Sequence, residues 1–268
     1  MARFRPLTAG MTLTTSVVAA ATVLLGGCSN SESEQHDHHG HAHPVVVATT
    51  TWEAAFAEAA GAEDVKVIVP PSVHHAPDYD PKPSDLTAVA EADFVLYAPF
   101  EPFAAKIKEA AGSKAELIEV GLDNSAEKVK AQVQSLGQRF GTTEAAQAWI
   151  ATFNVEYDKL SSDVRSAWAG GKQPTVIAQV FSTWAADLAG AQIVGTYGPE
   201  AVTPGQLAEM TVKKPQFVLD NAHMSTGAVL PDSGVEQVSI VNYPGQGQDL
   251  LSVYREAAST LKKALSGS

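Results

Sequence analysis

Eight histidines are the first residues in this chain that could do chemistry, and they are unevenly spread. Five of them fall in eight consecutive positions, His36-Asp37-His38-His39-Gly40-His41-Ala42-His43. Imidazole is a borderline ligand suited to zinc, copper and nickel, and histidine-rich tracts capture such ions. A purification tag is the bland alternative, but tags are not interrupted in this way. The tract follows a polar run, Ser29 to Gln35, which reads as a solvated tether, so the expected role is loose scavenging. His74 and His75 stand side by side in a loop rich in Pro and Asp, and His223 is the only histidine beyond them. Each could be solvated loop surface. Paired imidazoles, with a third imidazole from a distant segment, are also what a nitrogen and oxygen metal site is built from.

The single cysteine, Cys28, does not belong to that chemistry. Arg3 and Arg5 precede a run of apolar and small residues from Met11 to Leu25, too short to span a bilayer comfortably. The run ends in Leu25-Gly26-Gly27-Cys28, which resembles the bacterial lipobox, in which the cysteine is acylated and becomes the new N-terminus. The expectation is a lipoprotein signal peptide over 1–27 and a lipid-anchored, His-rich tether over 28–43. The protein would then lie outside the cytoplasmic membrane and touch it through the lipid alone.

Composition narrows the function classes. The chain of 268 residues is 45% hydrophobic and 18% charged, enough to bury a sizeable core. A formal net charge of −12 argues against nucleic-acid binding, which needs a basic face. The sequence has no Gly-x-Ser-x-Gly, phosphate-binding loop, dinucleotide fingerprint or His-Glu-x-x-His, so no enzyme class is indicated.

The elements that must position the histidines follow from periodicity. Val45 to Thr49 is a β-branched run fit for a buried parallel strand, and Trp52 to Ala60 has a helical apolar face ended by Gly61. Strands are predicted at Val65 to Val69 and Phe94 to Tyr97, with a short helix from Ser84 to Ala90 between them. From Ser125 to Ala169 strand patterns vanish. Gly141 followed by Thr142-Thr143 reads as the stop of one helix and the cap of the next. The second, Glu144 to Trp168, would be about 37 Å long. Its stripe of Trp149, Phe153, Tyr157, Leu160 and Val164 reads as core. Alternation then resumes. Strands are expected at Thr175–Ala178, Ala191–Gly195, Phe217–Leu219 and Val238–Val241, and helices at Ser182–Ala189, Thr203–Glu209 and Asp249–Leu265. The fold class is α/β: two βα lobes with parallel sheets, 44–141 and 171–268, joined by a long backbone helix over 142–170.

Several stretches resemble one family, the solute-binding lipoproteins of zinc and manganese ABC importers, whose lobes are joined by a helical backbone. They are Val46 to Trp52, Tyr79-Asp80-Pro81-Lys82-Pro83-Ser84-Asp85, Ala90 to Tyr97 and Phe100-Glu101-Pro102. The resemblance spans most of 44–265. It implies a monomeric receptor that binds a transition metal between its lobes and hands it to a permease, with zinc favoured over manganese, copper or nickel as the transported ion. Three of the family's ligand positions are replaced, by Pro77, Asn124-Ser125 and Gln179. Asp220 fits the family's carboxylate ligand. With His74, His75, Glu101 and His223, in loops expected at strand ends facing the cleft, it makes up the candidate ligand set. Glu101 could instead cap a helix starting at Pro102, and Asp220 could be a turn residue. Two other functions fit the same plan: a receptor for a metal chelate, haem or corrinoid, which needs fewer direct metal bonds, and an adhesin-like lipoprotein.

Overall fold

The computed structural model describes residues 43–70, 73, 76–121, 123–231 and 233–267. The signal segment expected over 1–27, Cys28, His36, His38, His39, His41, His74 and His75 lie outside the described residues. All described residues fall in one compact unit. None of their helices is long and apolar enough to cross a membrane.

Two four-stranded parallel sheets carry the architecture. The first has β1 (Val45–Ala48), β2 (Asp64–Val67), β3 (Phe94–Tyr97) and β4 (Glu116–Glu119) in the order β2-β1-β3-β4. The second has β5 (Thr175–Gln179), β6 (Gln192–Tyr197), β7 (Phe217–Asn221) and β8 (Glu236–Ile240) in the order β6-β5-β7-β8. The two orders are the same. In each, the inner strands are continuous apolar runs buried on both faces, such as Phe94-Val95-Leu96-Tyr97, while the outer strands alternate or carry charge.

Helices α1 (Thr51–Ala59), α2 (Pro83–Glu91) and α3 (Ala104–Ala111) belong to the first sheet, and α6 (Thr183–Ala189) and α7 (Pro204–Val212) to the second. Between the sheets run α4 (Ala126–Phe140) and α5 (Thr143–Arg165), and α8 (Leu250–Ser266) closes the chain. Gly141 adopts the left-handed conformation (φ 74°) that ends α4, as its sequence context implies. Helix α5 is 23 residues, about 35 Å, long. Its aromatic stripe is core. Phe153 packs on Trp149 (centroids 5.2 Å apart) and Tyr157 (5.6 Å), and edge-on against the fully buried Tyr254 of α8 (5.0 Å).

One element stands outside the sequence-based expectation. Strand β4 is only Glu-Leu-Ile-Glu, an outer strand whose flanking acids hide its apolar pair. Helix α3, weighed from sequence as starting at Pro102, begins at Ala104 with Phe103 at its N-cap position and no side-chain cap. The Tyr79–Asp85 motif proves architectural. Asp85 accepts from the Tyr79 hydroxyl (2.7 Å) and the Lys82 amide (2.9 Å), which fixes the turn into α2 with Pro83 in its first turn.

Candidate functional site

In an open parallel sheet, the loops beyond the carboxyl ends of the strands splay apart where the strand order reverses, and a crevice forms there. Here that reversal falls between β1 and β3 and again between β5 and β7. The two crevices share one cleft of about 170 Å³. The first lobe contributes Thr50, Trp52 and Glu53 after β1, and Phe100 and Glu101 after β3. The second contributes Phe181 after β5, Asn221, His223 and Met224 after β7, and Asn242 and Tyr243 after β8.

The first-lobe wall is made by a helix start. Thr50 caps α1, its hydroxyl accepting from the Trp52 amide (3.2 Å), and the Glu53 carboxyl accepts from the Thr50 amide (3.0 Å) and hydroxyl. This capping box explains why an acid sits at Glu53 although it is only 1% exposed. Burial raises its pKa, and the hydroxyls and amides around it pull the other way.

Glu101 does not cap a helix. Its carboxyl, buried in the cleft wall, accepts weakly from the Ala98 amide (3.3 Å). Burial, and then the neighbouring Glu53, push it up to about 8, so at neutral pH the pair holds a proton.

The second-lobe wall is aromatic. The His223 amide donates to the Asn221 side-chain oxygen (2.9 Å), which turns the ring onto Tyr243 at a centroid distance of 3.5 Å. Tyr243 in turn lies nearly parallel to Trp52 (20°, 6.2 Å), so a stack of three rings crosses from one lobe to the other. His223 Nε2 is buried without a hydrogen-bond partner. Burial pulls its pKa down to about 4, which keeps the imidazole neutral with a nitrogen lone pair.

Of the predicted ligand residues, then, the structure brings Glu101 and His223 to one cleft. It does not bring Asp220 there. That side chain is 3% exposed, and its oxygens accept from the Tyr197 hydroxyl (2.6 Å), the Ser225 hydroxyl (2.5 Å) and the Gln237 amide (2.9 Å). The same bond and burial raise the Tyr197 pKa. Asp220 ties the loop after β7 to its neighbours. His74 and His75 lie outside the described residues, although Ala76, next to them in sequence, lines the cleft. His43 stands apart and exposed, 3.6 Å from the Glu63 carboxylate. Among the described residues no three His, Cys, Asp or Glu side chains are grouped to hold a metal.

The replaced family positions have other duties. Asn124, 1% exposed, donates to the Asn242 carbonyl, while its own carbonyl accepts from Tyr254 (2.8 Å). Asn242 also accepts from the Trp184 indole (2.7 Å). Gln179 accepts from the Phe181 amide (2.7 Å). Asn124 thus helps to lock the seam between the lobes, whereas Gln179 holds the turn after β5. Sequence reasoning missed Glu53 and Tyr243. The Thr50-Thr51-Trp52-Glu53 capping-box pattern could have found the first, whereas nothing local marks the second.

Residues 46–142 match the family model ZnuA, described as zinc-uptake complex component A, periplasmic. No curated protein sequence matches the chain. Among solved structures, the laminin-binding protein Lbp of Streptococcus pyogenes superposes with TM-score 0.61 at 15% identity, covering 84% of this chain and 100% of that one. The binding protein FpvC of Pseudomonas aeruginosa, solved with nickel, gives TM-score 0.60 at 16% identity over 83% and 96% of the two chains. AdcAII of Streptococcus pneumoniae gives 0.59 at 17% over 84% and 99%. By the sequence of its first lobe and by the fold of the whole, the chain resembles the metal-receptor family of zinc-uptake component A.

Proposed function

We propose that this protein is the extracytoplasmic solute-binding component of an ABC importer, that it is not an enzyme, and that it takes a transition metal, zinc foremost, into the cleft between its lobes. The first-lobe match to a zinc-uptake family carries the reading. The cleft supports it, because it holds a neutral imidazole with a free nitrogen and a carboxyl pair at the strand ends of both sheets. Glu101 and His223 are the ligands proposed from the described residues, completed by His74 and His75 from the loop before Ala76. Zinc suits nitrogen-rich sites of this make-up better than manganese does, and copper and nickel are the competitors. The rest of the reading comes from sequence. Lobes at 44–141 and 171–268 flank the helix, Cys28 carries the lipid that holds a monomer at the membrane, the His36–His43 tract gathers ions, and a permease receives them.

The test is metal analysis of the purified protein followed by calorimetric titration with zinc, with and without residues 29–43. One tight site that persists without the tract is expected. Loss of all tight binding with the tract would refute the cleft as the site.

A further inference from the structure

A residue in the cleft wall carries a buried donor with nothing to donate to. Trp52 is 5% exposed and lines the cleft, and its indole Nε1–H has no hydrogen-bond partner. An indole nitrogen is a donor only, and a buried tryptophan usually finds an acceptor for it. Phenylalanine would keep an aromatic ring against Tyr243 without leaving a polar group unpaired. A bare cation cannot satisfy this group, since the N–H presents positive charge. An oxygen atom on the ligand can.

Three further observations bear on what carries that oxygen. His223 Nε2, in the same cleft, is also buried and unpartnered, and it is the kind of atom that coordinates a metal. The cleft volume of about 170 Å³ is several times the roughly 30 Å³ that one water occupies in the liquid, so it has room for a small organic molecule around an ion. Its walls are the flat or soft side chains of Trp52, Phe100, Phe181, Met224 and Tyr243. Among the described lining residues there is no Lys or Arg. A free polycarboxylate would meet no compensating charge, so such a ligand has to bring its own cation.

We propose, resting on the metal-import reading, that the cleft takes its metal as a complex with a small carboxylate chelator, one chelator oxygen accepting from Trp52 Nε1–H while His223 Nε2 fills an open coordination position. The metal's charge offsets that of the carboxylates, and the chelator's carbon skeleton lies against the aromatic walls. Fewer protein ligands are then needed, in keeping with amides at family ligand positions such as Asn124 and Gln179.

The test compares zinc chloride with the one-to-one zinc citrate complex on metal-stripped protein in which His36, His38, His39 and His41 are replaced by Ser, so that the tract does not mask the cleft. Native mass spectrometry reads whether citrate stays bound, and calorimetry reads affinity. The expected result is a ternary complex bound at least tenfold more tightly than zinc alone. Trp52→Phe should weaken zinc citrate about tenfold more than it weakens zinc alone. If the protein strips zinc from citrate and keeps only the ion, or if Trp52→Phe weakens both probes equally, the chelate inference falls and the metal-import reading stands. If neither probe binds, both fall.

Discussion

Replacing Glu101 by Gln should reverse the way this protein's stability responds to pH. Burial and Glu53 hold the Glu101 carboxyl up to about 8, against an ordinary value of 4.5. Between those values the folded state keeps a proton that the unfolded state has released. Folded-state proton excess means that stability falls as pH rises, by about 1.4 kcal/mol per pH unit. His223 has the opposite sign. Burial pulls it down to about 4 from 6.5, so between those values the unfolded state binds the extra proton and stability rises with pH. Its slope is the weaker one, because the half-buried ring is partly screened by solvent. Below pH 6.5 these two slopes oppose each other; above it, of the two, only Glu101 acts. Metal-free protein should therefore hold nearly level from pH 5 to 6.5 and lose about 2 kcal/mol by pH 8.

Gln reproduces the protonated carboxyl in shape and can still accept from the Ala98 amide. The variant should thus nearly match the parent at pH 5, show the rising His223 limb up to pH 6.5, and exceed the parent by roughly 3–4 kcal/mol at pH 8. Urea unfolding in chelator-treated buffer at half-unit pH steps measures this, provided that the denaturant slope stays constant between proteins. A parent curve that is flat above pH 6.5, or a variant that is equally destabilised at pH 5 and 8, would refute the buried carboxyl pair.

Other expectations can be checked alongside. His223→Ala should weaken zinc binding by tenfold or more in calorimetric titration, and proton competition at that residue should set in near pH 4 rather than near 6.5. If Glu101 ligates, zinc binding at pH 7 should release about one proton, read from titrations in buffers of different ionisation enthalpy. Gly137→Ala would place a methyl group 2.4 Å from the Ala146 Cβ, forcing α4 from α5. It should cost about 1–2 kcal/mol after the helix-propensity gain, seen as a melting temperature lowered by several degrees, while the open Gly121→Ala should be neutral. Cys28→Ser should move the protein from the membrane fraction to the soluble fraction after a salt wash.

The sequence was legible where burial is two-sided or where a helix stop uses glycine. Val45 to Ala48, Phe94 to Tyr97 and Phe217 to Leu219 could hardly be anything but inner strands, and Gly141 marked a helix end within a residue. Strand β4 was illegible because an outer strand of four residues, charged at both ends, lacks a period long enough to count. The cleft was half legible. His223 and Glu101 were placed at the cleft from sequence because the first is the only histidine of the second lobe and the second follows β3 in the Phe100-Glu101-Pro102 stretch. Asp220 was weighed as a ligand because it stands at the position of the family's carboxylate, and sequence does not reveal that three donors already occupy it. Trp52 reads as an ordinary apolar helix residue until its indole nitrogen is seen to lack a partner.

The seam between the lobes bears on how a ligand gets in. Closure around a hinge, with both lobes swinging onto the metal, is what ligands drawn from two lobes suggest from sequence. The structure places resistance in its way. Helix α5 has no internal Gly or Pro at which to bend, and its aromatic face is packed into the shared core with Tyr254. Tyr254, Asn124, Asn242 and Trp184 form a buried chain of hydrogen bonds that joins the segment after β4 to the loop after β8. The Thr51 hydroxyl adds a bond to the Pro244 carbonyl (2.9 Å). A wide opening would have to break several of these, each worth about 1 kcal/mol and more if a buried group is left unpaired. Ligand exchange should therefore proceed with a small movement at the cleft mouth, where Phe100 and Met224 are exposed, rather than by rotation of whole lobes. Small-angle scattering checks this directly. The radius of gyration should agree within error between metal-stripped and zinc-loaded protein, and a clear contraction on loading would show that the seam opens after all.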